Sequence, residues 1–103
     1  MNNHSNRIID YMHILISKYR DGEINLSYLI DSLEGSINAL EEKLPFDWNE
    51  KWVMNMIELE TYLALRLETE GKLEILETLV ELDQLIQELS GVFCRGNISQ
   101  GCY

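Results

Sequence analysis

A chain of 103 residues has room for one domain with a real hydrophobic core and too little for two. An apolar fraction of 46% and a single proline argue against a disordered tail and for an ordered, mostly helical protein. Eighteen acidic against eight basic side chains give a formal charge of -10, which argues against direct binding to nucleic acid or an anionic membrane and leaves cationic macromolecules as the natural partners.

Residues Met1 to Arg7 are polar and no apolar signal-peptide region follows them, so a cytoplasmic protein is expected. The cysteines, Cys94 and Cys102, both fall in the last ten residues and cannot frame a disulfide-rich fold. They read as free thiols, close enough in sequence to form a small loop if oxidised. Ser5 can cap a first helix to about Arg20, with Ile8, Met12, Leu15, Ile16 and Tyr19 on one stripe and Gly22 beyond its end.

Asn25 opens a second helix to about Lys43, in which Leu26, Ile30, Leu33, Ile37, Leu40 and Leu44 alternate by four and three, the spacing of near-antiparallel bundle packing. The same helix carries a strip at Tyr28, Ser32, Gly35 and Ala39. A glycine inside a helix costs up to about 1 kcal/mol against alanine, so either the first helix or a partner is expected to approach there. Pro45 ends this helix, and Asp47-Trp48-Asn49-Glu50 places an acidic cap at the start of a third.

The third helix should run to about Glu70, and it is apolar on two faces. One holds Trp48, Trp52, Met56, Leu59, Leu63 and Leu67; the other holds Met54, Ile57, Thr61, Ala64 and Leu65. The charges Glu50, Lys51, Glu58, Glu60 and Arg66 interrupt the run and argue against a membrane span. The expectation is a core helix covered on both sides, central to the domain. Gly71 then breaks the chain before a fourth helix, Lys72 to Leu89, which turns Ile75, Leu76, Leu79, Leu82, Ile86 and Leu89 inward. The reading is an all-α, compact bundle of three to four main helices in a domain spanning 1–90, followed by an irregular tail over 91–103.

Little in the chain suggests chemistry. Asp10 and His13 have the three-residue spacing of carboxylate-histidine ligands in di-iron bundles, but the only other histidine, His4, lies in the polar leader. Neither cysteine has a C-x-x-C neighbour, and the chain contains no nucleophile elbow and no glycine-rich phosphate loop. No enzyme activity, metal or cofactor is expected. The most organised polar feature is a stripe of Glu74, Glu77, Glu81 and Glu88 with Gln84 on the fourth helix, read as facing outward opposite the leucines. Like charges at this spacing destabilise a helix by about 0.2–0.5 kcal/mol each. Either solvation of the surface or a binding role accounts for them.

The run Leu29-Ile30-Asp31-Ser32-Leu33-Glu34-Gly35-Ser36-Ile37-Asn38-Ala39-Leu40-Glu41, then Trp48, Trp52 and Leu59-Glu60-Thr61-Tyr62-Leu63-Ala64-Leu65, resembles short acidic helical bacterial proteins. Some of these are similar to immunity proteins of contact-dependent growth inhibition (toxin/immunity) systems. The resemblance spans about Ile24 to Leu89 and rests mostly on core positions. It implies a cytosolic inhibitor that binds the C-terminal domain of a delivered toxin, often a nuclease, and masks its active site. An acidic protein suits that role, since nucleases hold phosphates in cationic clefts. The surfaces expected to meet the toxin are Glu74, Glu77 and Glu81 on the fourth helix and Asp31, Glu34, Glu41 and Glu42 on the second, with Tyr28 or Tyr62 as aromatic anchors. The alternative is a helical adaptor or regulatory subunit that uses the Tyr28-Gly35-Ala39 groove for a partner helix or for homodimerisation.

Overall fold

The computed structural model describes residues 3–40 and 43–95, and the regular structure among them is entirely helical. The helices are α1 (Asn3–Arg20), α2 (Leu26–Ala39), α3 (Phe46–Ala64) and α4 (Lys72–Arg95). Their ends follow from local chemistry. At the close of α1, Gly22 takes φ +79°, and the amides of Gly22 and Glu23 donate to the carbonyls of Tyr19 and Lys18, satisfying two terminal acceptors. Asn25 caps α2 as expected, its side chain accepting from the Tyr28 amide at 2.8 Å.

Several boundaries differ from expectation. Ser5 does not cap α1; the helix starts at Asn3 and Ser5 is fully buried within it. Asp47 does not cap α3 either. Pro45 holds that position with no side-chain cap, its ring fixing φ at -60° ready for the helix, and Asp47 sits in the first turn near the positive end of the helix dipole. Helix α2 stops at Ala39 rather than Lys43 because Leu40 turns into extended backbone, and from the connection both Leu40 and Leu44 pack on the core. Gly91 does not end α4, which continues to Arg95. A lone glycine costs about 1 kcal/mol, too little to halt a helix whose preceding turns are docked through the buried Ile86 and Leu89. The rest of the expected tail, with Cys102, and the side chain of Cys94 lie outside the described residues.

Helix α3 ends at Ala64, short of Glu70. The amides of Arg66 and Leu67 donate to the carbonyls of Leu63 and Tyr62, with Arg66 in the left-handed region at φ 57°. The turn is then pinned from α1: the Tyr19 hydroxyl donates to Glu68 at 2.7 Å and accepts from Lys72 Nζ at 3.1 Å, and the ammonium lies 4.3 Å from the Tyr19 ring centroid. Burial, then the hydrogen bond and charge of Glu68, raise the Tyr19 phenol well above its ordinary value, so it stays a donor. Gly71 owes its place to a close approach. Any Cβ there would run into the Tyr62 ring and stand 3.2 Å from the Leu67 carbonyl oxygen. Gly71→Ala is therefore expected to destabilise the protein by about 1–3 kcal/mol, seen as a lower urea midpoint with an unchanged slope. Wild-type stability in that variant would mean that the loop has room to move.

The helices close into a ring in which α1 packs on α2 and α4, and α3 packs on α4 and, more lightly, on α2. Their shared core is built from Met12, Ile16, Leu29, Leu33, Leu59, Ile75, Leu79, Leu82 and Ile86, all fully buried, with Trp48 and Trp52 closing one side. The tryptophan rings stack at 5.3 Å between centroids, and Trp48 Nε1 donates to the Leu85 carbonyl at 2.7 Å.

This ring corrects the expected role of the third helix. Each helix has two principal neighbours, both on its core side, so α3 is one wall of the bundle and is not central. Its first apolar face is buried through Trp48, Trp52, Met56 and Leu59, while its second is not covered: Met54 is 69% exposed, Leu65 61% and Ile57 54%. Among the described residues no further element reaches that face. The strip on α2 is uncovered as well, because Tyr28, Gly35 and Ala39 are exposed and α1 does not pack into it. Nothing lies within 4 Å of where a Gly35 Cβ would stand.

Candidate functional site

The uncovered side of α3 is a continuous apolar stripe. Val53, Met54, Ile57, Thr61, Ala64 and Leu65 all point away from the core. Over the twelve steps from Val53 to Leu65 the stripe extends about 18 Å. It reads as the surface side of an amphipathic helix with apolar residues in place of most polar ones, and its one hydroxyl, on Thr61, is turned back to donate to the Ile57 carbonyl.

Acidic side chains border the stripe on both sides. Toward α2, a groove is lined by Glu34, Ile37 and Asn38 from α2 and by Asn49, Trp52, Val53, Met56, Ile57 and Glu60 from α3. Toward α4, a second groove is lined by Met54, Glu58 and Tyr62 from α3 and by Glu74, Glu77, Thr78 and Glu81 from α4, with Lys51 as its basic member. Glu81, Gln84 and Glu88 continue that border past Lys51 and Asn55. The glutamates of the α4 stripe are solvent-exposed, as expected, with Gln84 among them. What the spacing does not show is that the stripe also flanks the seam with α3, so that it borders a groove instead of standing alone on the surface.

The fields along the two borders are visible in their titrating groups. The Glu34 carboxyl is raised above its ordinary value, first by a hydrogen bond with Glu60 across the α2–α3 seam, then by partial burial and by the charges of Glu60 and Asp31. Partial burial also raises the Tyr62 phenol, and the carboxylates of Glu74, Glu58 and Glu77 add to it. Because the folded pKa of Glu34 lies above the unfolded one, the folded state holds the extra proton. Stability should therefore rise as pH falls from neutrality through the folded value and level off below 4.5, its ordinary value. The side chain is exposed, so solvent screens most of the repulsion. Glu34→Gln is expected to gain about 0.2–1 kcal/mol at pH 7 and to flatten that rise in a urea titration repeated at pH 5. An unchanged pH profile would show that the pair does not share a proton.

Of the residues expected from sequence, Glu74, Glu77, Glu81 and Tyr62 come together in the α3–α4 groove, and Glu34 lines the α2–α3 groove with Asp31 beside it. Tyr28 is 53% exposed on α2 and lines neither groove. Glu41 and Glu42 lie outside the described residues. Sequence reasoning missed Glu58 and Glu60 as site residues, although they flank the second apolar face of their own helix and that spacing could have pointed to them. The Asp10–His13 spacing, noted in the sequence and set aside as a metal motif, does not describe the partner that His13 has. Asp10 is exposed, while His13 Nδ1 lies 3.0 Å from Asp83, which also takes Arg20 at 3.1 Å; the cluster ties α1 to α4. Among the described residues, no three His, Cys, Asp or Glu side chains are grouped to hold a metal, and no helix is long and apolar enough to cross a membrane.

No protein-family model matches the chain, and no curated protein or solved structure does so either.

Proposed function

We propose that the protein is a stoichiometric binding inhibitor, a cognate immunity protein that covers the active site of a cationic toxin domain of the nuclease class. The observation that carries this reading is the pairing of an uncovered apolar stripe on α3 with carboxylates along both of its edges. Apolar surface supplies burial when a partner docks, and the acidic borders select a basic partner and speed its encounter. Resemblance to acidic helical immunity proteins points the same way. A protein of this kind acts by occupancy, needs no cofactor and works in the cytoplasm beside the domain it neutralises.

The test first looks for a large secreted toxin gene beside this chain's gene, whose absence would count against the reading, and then uses the C-terminal domain of that toxin. Mixed at equal concentration, the two should form a 1:1 complex in which the domain's nuclease activity is lost. Full activity at a tenfold excess of this protein would rule the reading out. A second reading is favoured by the open space around Gly35: a helical adaptor that takes a partner helix, or a second copy of itself, along Tyr28, Gly35 and Ala39. Gly35→Leu would abolish association in that case and leave toxin neutralisation untouched in the first.

A further inference from the structure

The shape of the α3 face identifies the kind of structural element that fits it. Its apolar residues follow the helix axis, with Val53, Met54, Ile57, Thr61 and Leu65 spaced by one, three and four, and a groove runs along each side. A flat sheet surface would leave both grooves empty. A helix laid along α3 would place side chains spaced by three and four into them, the general geometry of helix-in-groove recognition.

We propose that this face receives an amphipathic helix of the partner, apolar along its contact stripe and basic along both edges. The inference rests on the binding-inhibitor reading above and deepens it by naming the element recognised. Charge complementarity selects that occupant. Glu34 and Glu60 border one side, and Glu58, Glu74, Glu77 and Glu81 the other, against the single Lys51. A second copy of this chain, related by a two-fold axis, would set these carboxylates against one another. An acidic amphipathic helix meets the same repulsion, and an anionic bilayer is repelled by the same field. A lysine or arginine reaching Glu34 and Glu60 instead replaces a repulsive pair of acids with a charge-assisted contact. The apolar centre explains why a simple polycation is a poorer occupant: Ile57 and Met54 stay wet beneath it.

The experiment uses the full chain and three labelled helical peptides of about 14 residues, roughly four turns. One carries a leucine stripe between lysine and arginine edges, one the same stripe between glutamate edges, and one basic edges with serine replacing leucine. By fluorescence anisotropy the first should bind saturably, and the other two at least tenfold more weakly. Ile57→Glu should weaken the first peptide at least tenfold. Val80→Glu, which alters an exposed apolar residue on α4 that lines neither groove, should leave it unchanged. Equal binding of the acidic or the serine peptide, no saturable binding of the first, or indifference to Ile57→Glu would overturn the proposal. So would a dimer in sedimentation that Ile57→Glu dissolves, since the face would then belong to a second copy. Any of these results leaves the binding-inhibitor reading to its own test, because toxin neutralisation is measured separately and requires no particular element of the toxin.

Discussion

Trp48→Ala is expected to destabilise the protein by about 3–5 kcal/mol, the range for removing a large aromatic side chain from a packed core. Trp48 is 4% exposed, stacks on Trp52 and donates its indole N–H to the Leu85 carbonyl, so one substitution removes burial, a ring contact and a link between α3 and α4. Domains of this size are stable by about 5–15 kcal/mol in total, so the variant should unfold at a much lower urea concentration or fail to accumulate folded. Trp48→Phe separates the contributions. It keeps most of the apolar volume and loses the donor, and should lower stability by about 0.5–1.5 kcal/mol through the lost hydrogen bond to a carbonyl that the α4 ladder already engages, with the smaller ring adding to the loss. If Trp48→Ala lies within about 0.5 kcal/mol of wild type, the tryptophan pair does not close the core.

The second large effect concerns binding to the toxin domain proposed as partner. Reversing Glu74, Glu77 and Glu81 to lysine should slow association at least tenfold at low salt and remove most of its salt dependence, because steering by an acidic border acts on the encounter. Ile57→Glu should act differently. It places a charge at the middle of the apolar stripe and should shorten the lifetime of the complex while changing the association rate little. Stopped-flow association and dissociation rates, with folding of each variant checked by circular dichroism, distinguish the two. If the triple reversal associates at the wild-type rate in low salt, the α4 border does not face the partner.

Much of the architecture was legible in the sequence because it depends on local periodicity. The three-and-four spacing of Trp48, Trp52, Met56 and Leu59 marks a buried face wherever the helix is placed, and all four are buried. Asn25 and Gly22 were readable as caps because each acts on amides or carbonyls a few residues away. The second face of α3 was readable as apolar, but periodicity does not say what covers a face; that depends on how many neighbours the fold supplies. The same holds for the glutamates of α4. Their spacing places them on one stripe, and only packing against α3 decides that the stripe borders a groove. The Glu34–Glu60 pair and the His13–Asp83 contact join residues on different helices, so no local pattern announces them. Gly71 was read as a helix breaker from its type, whereas its nearest constraint is the Tyr62 ring.

Met54 and Met56 offer the most direct test of the uncovered α3 face, since they are two residues apart on one helix yet 69% and 4% exposed. Brief treatment with hydrogen peroxide, followed by fragment-level mass spectrometry, reads both side chains in one peptide. In the free protein Met54 should oxidise rapidly while Met56 remains intact, and saturation with the basic amphipathic peptide should protect Met54. Equal resistance of both methionines in the free protein, or oxidation of Met54 unchanged at saturating peptide, would contradict the assignment of this face as the docking surface.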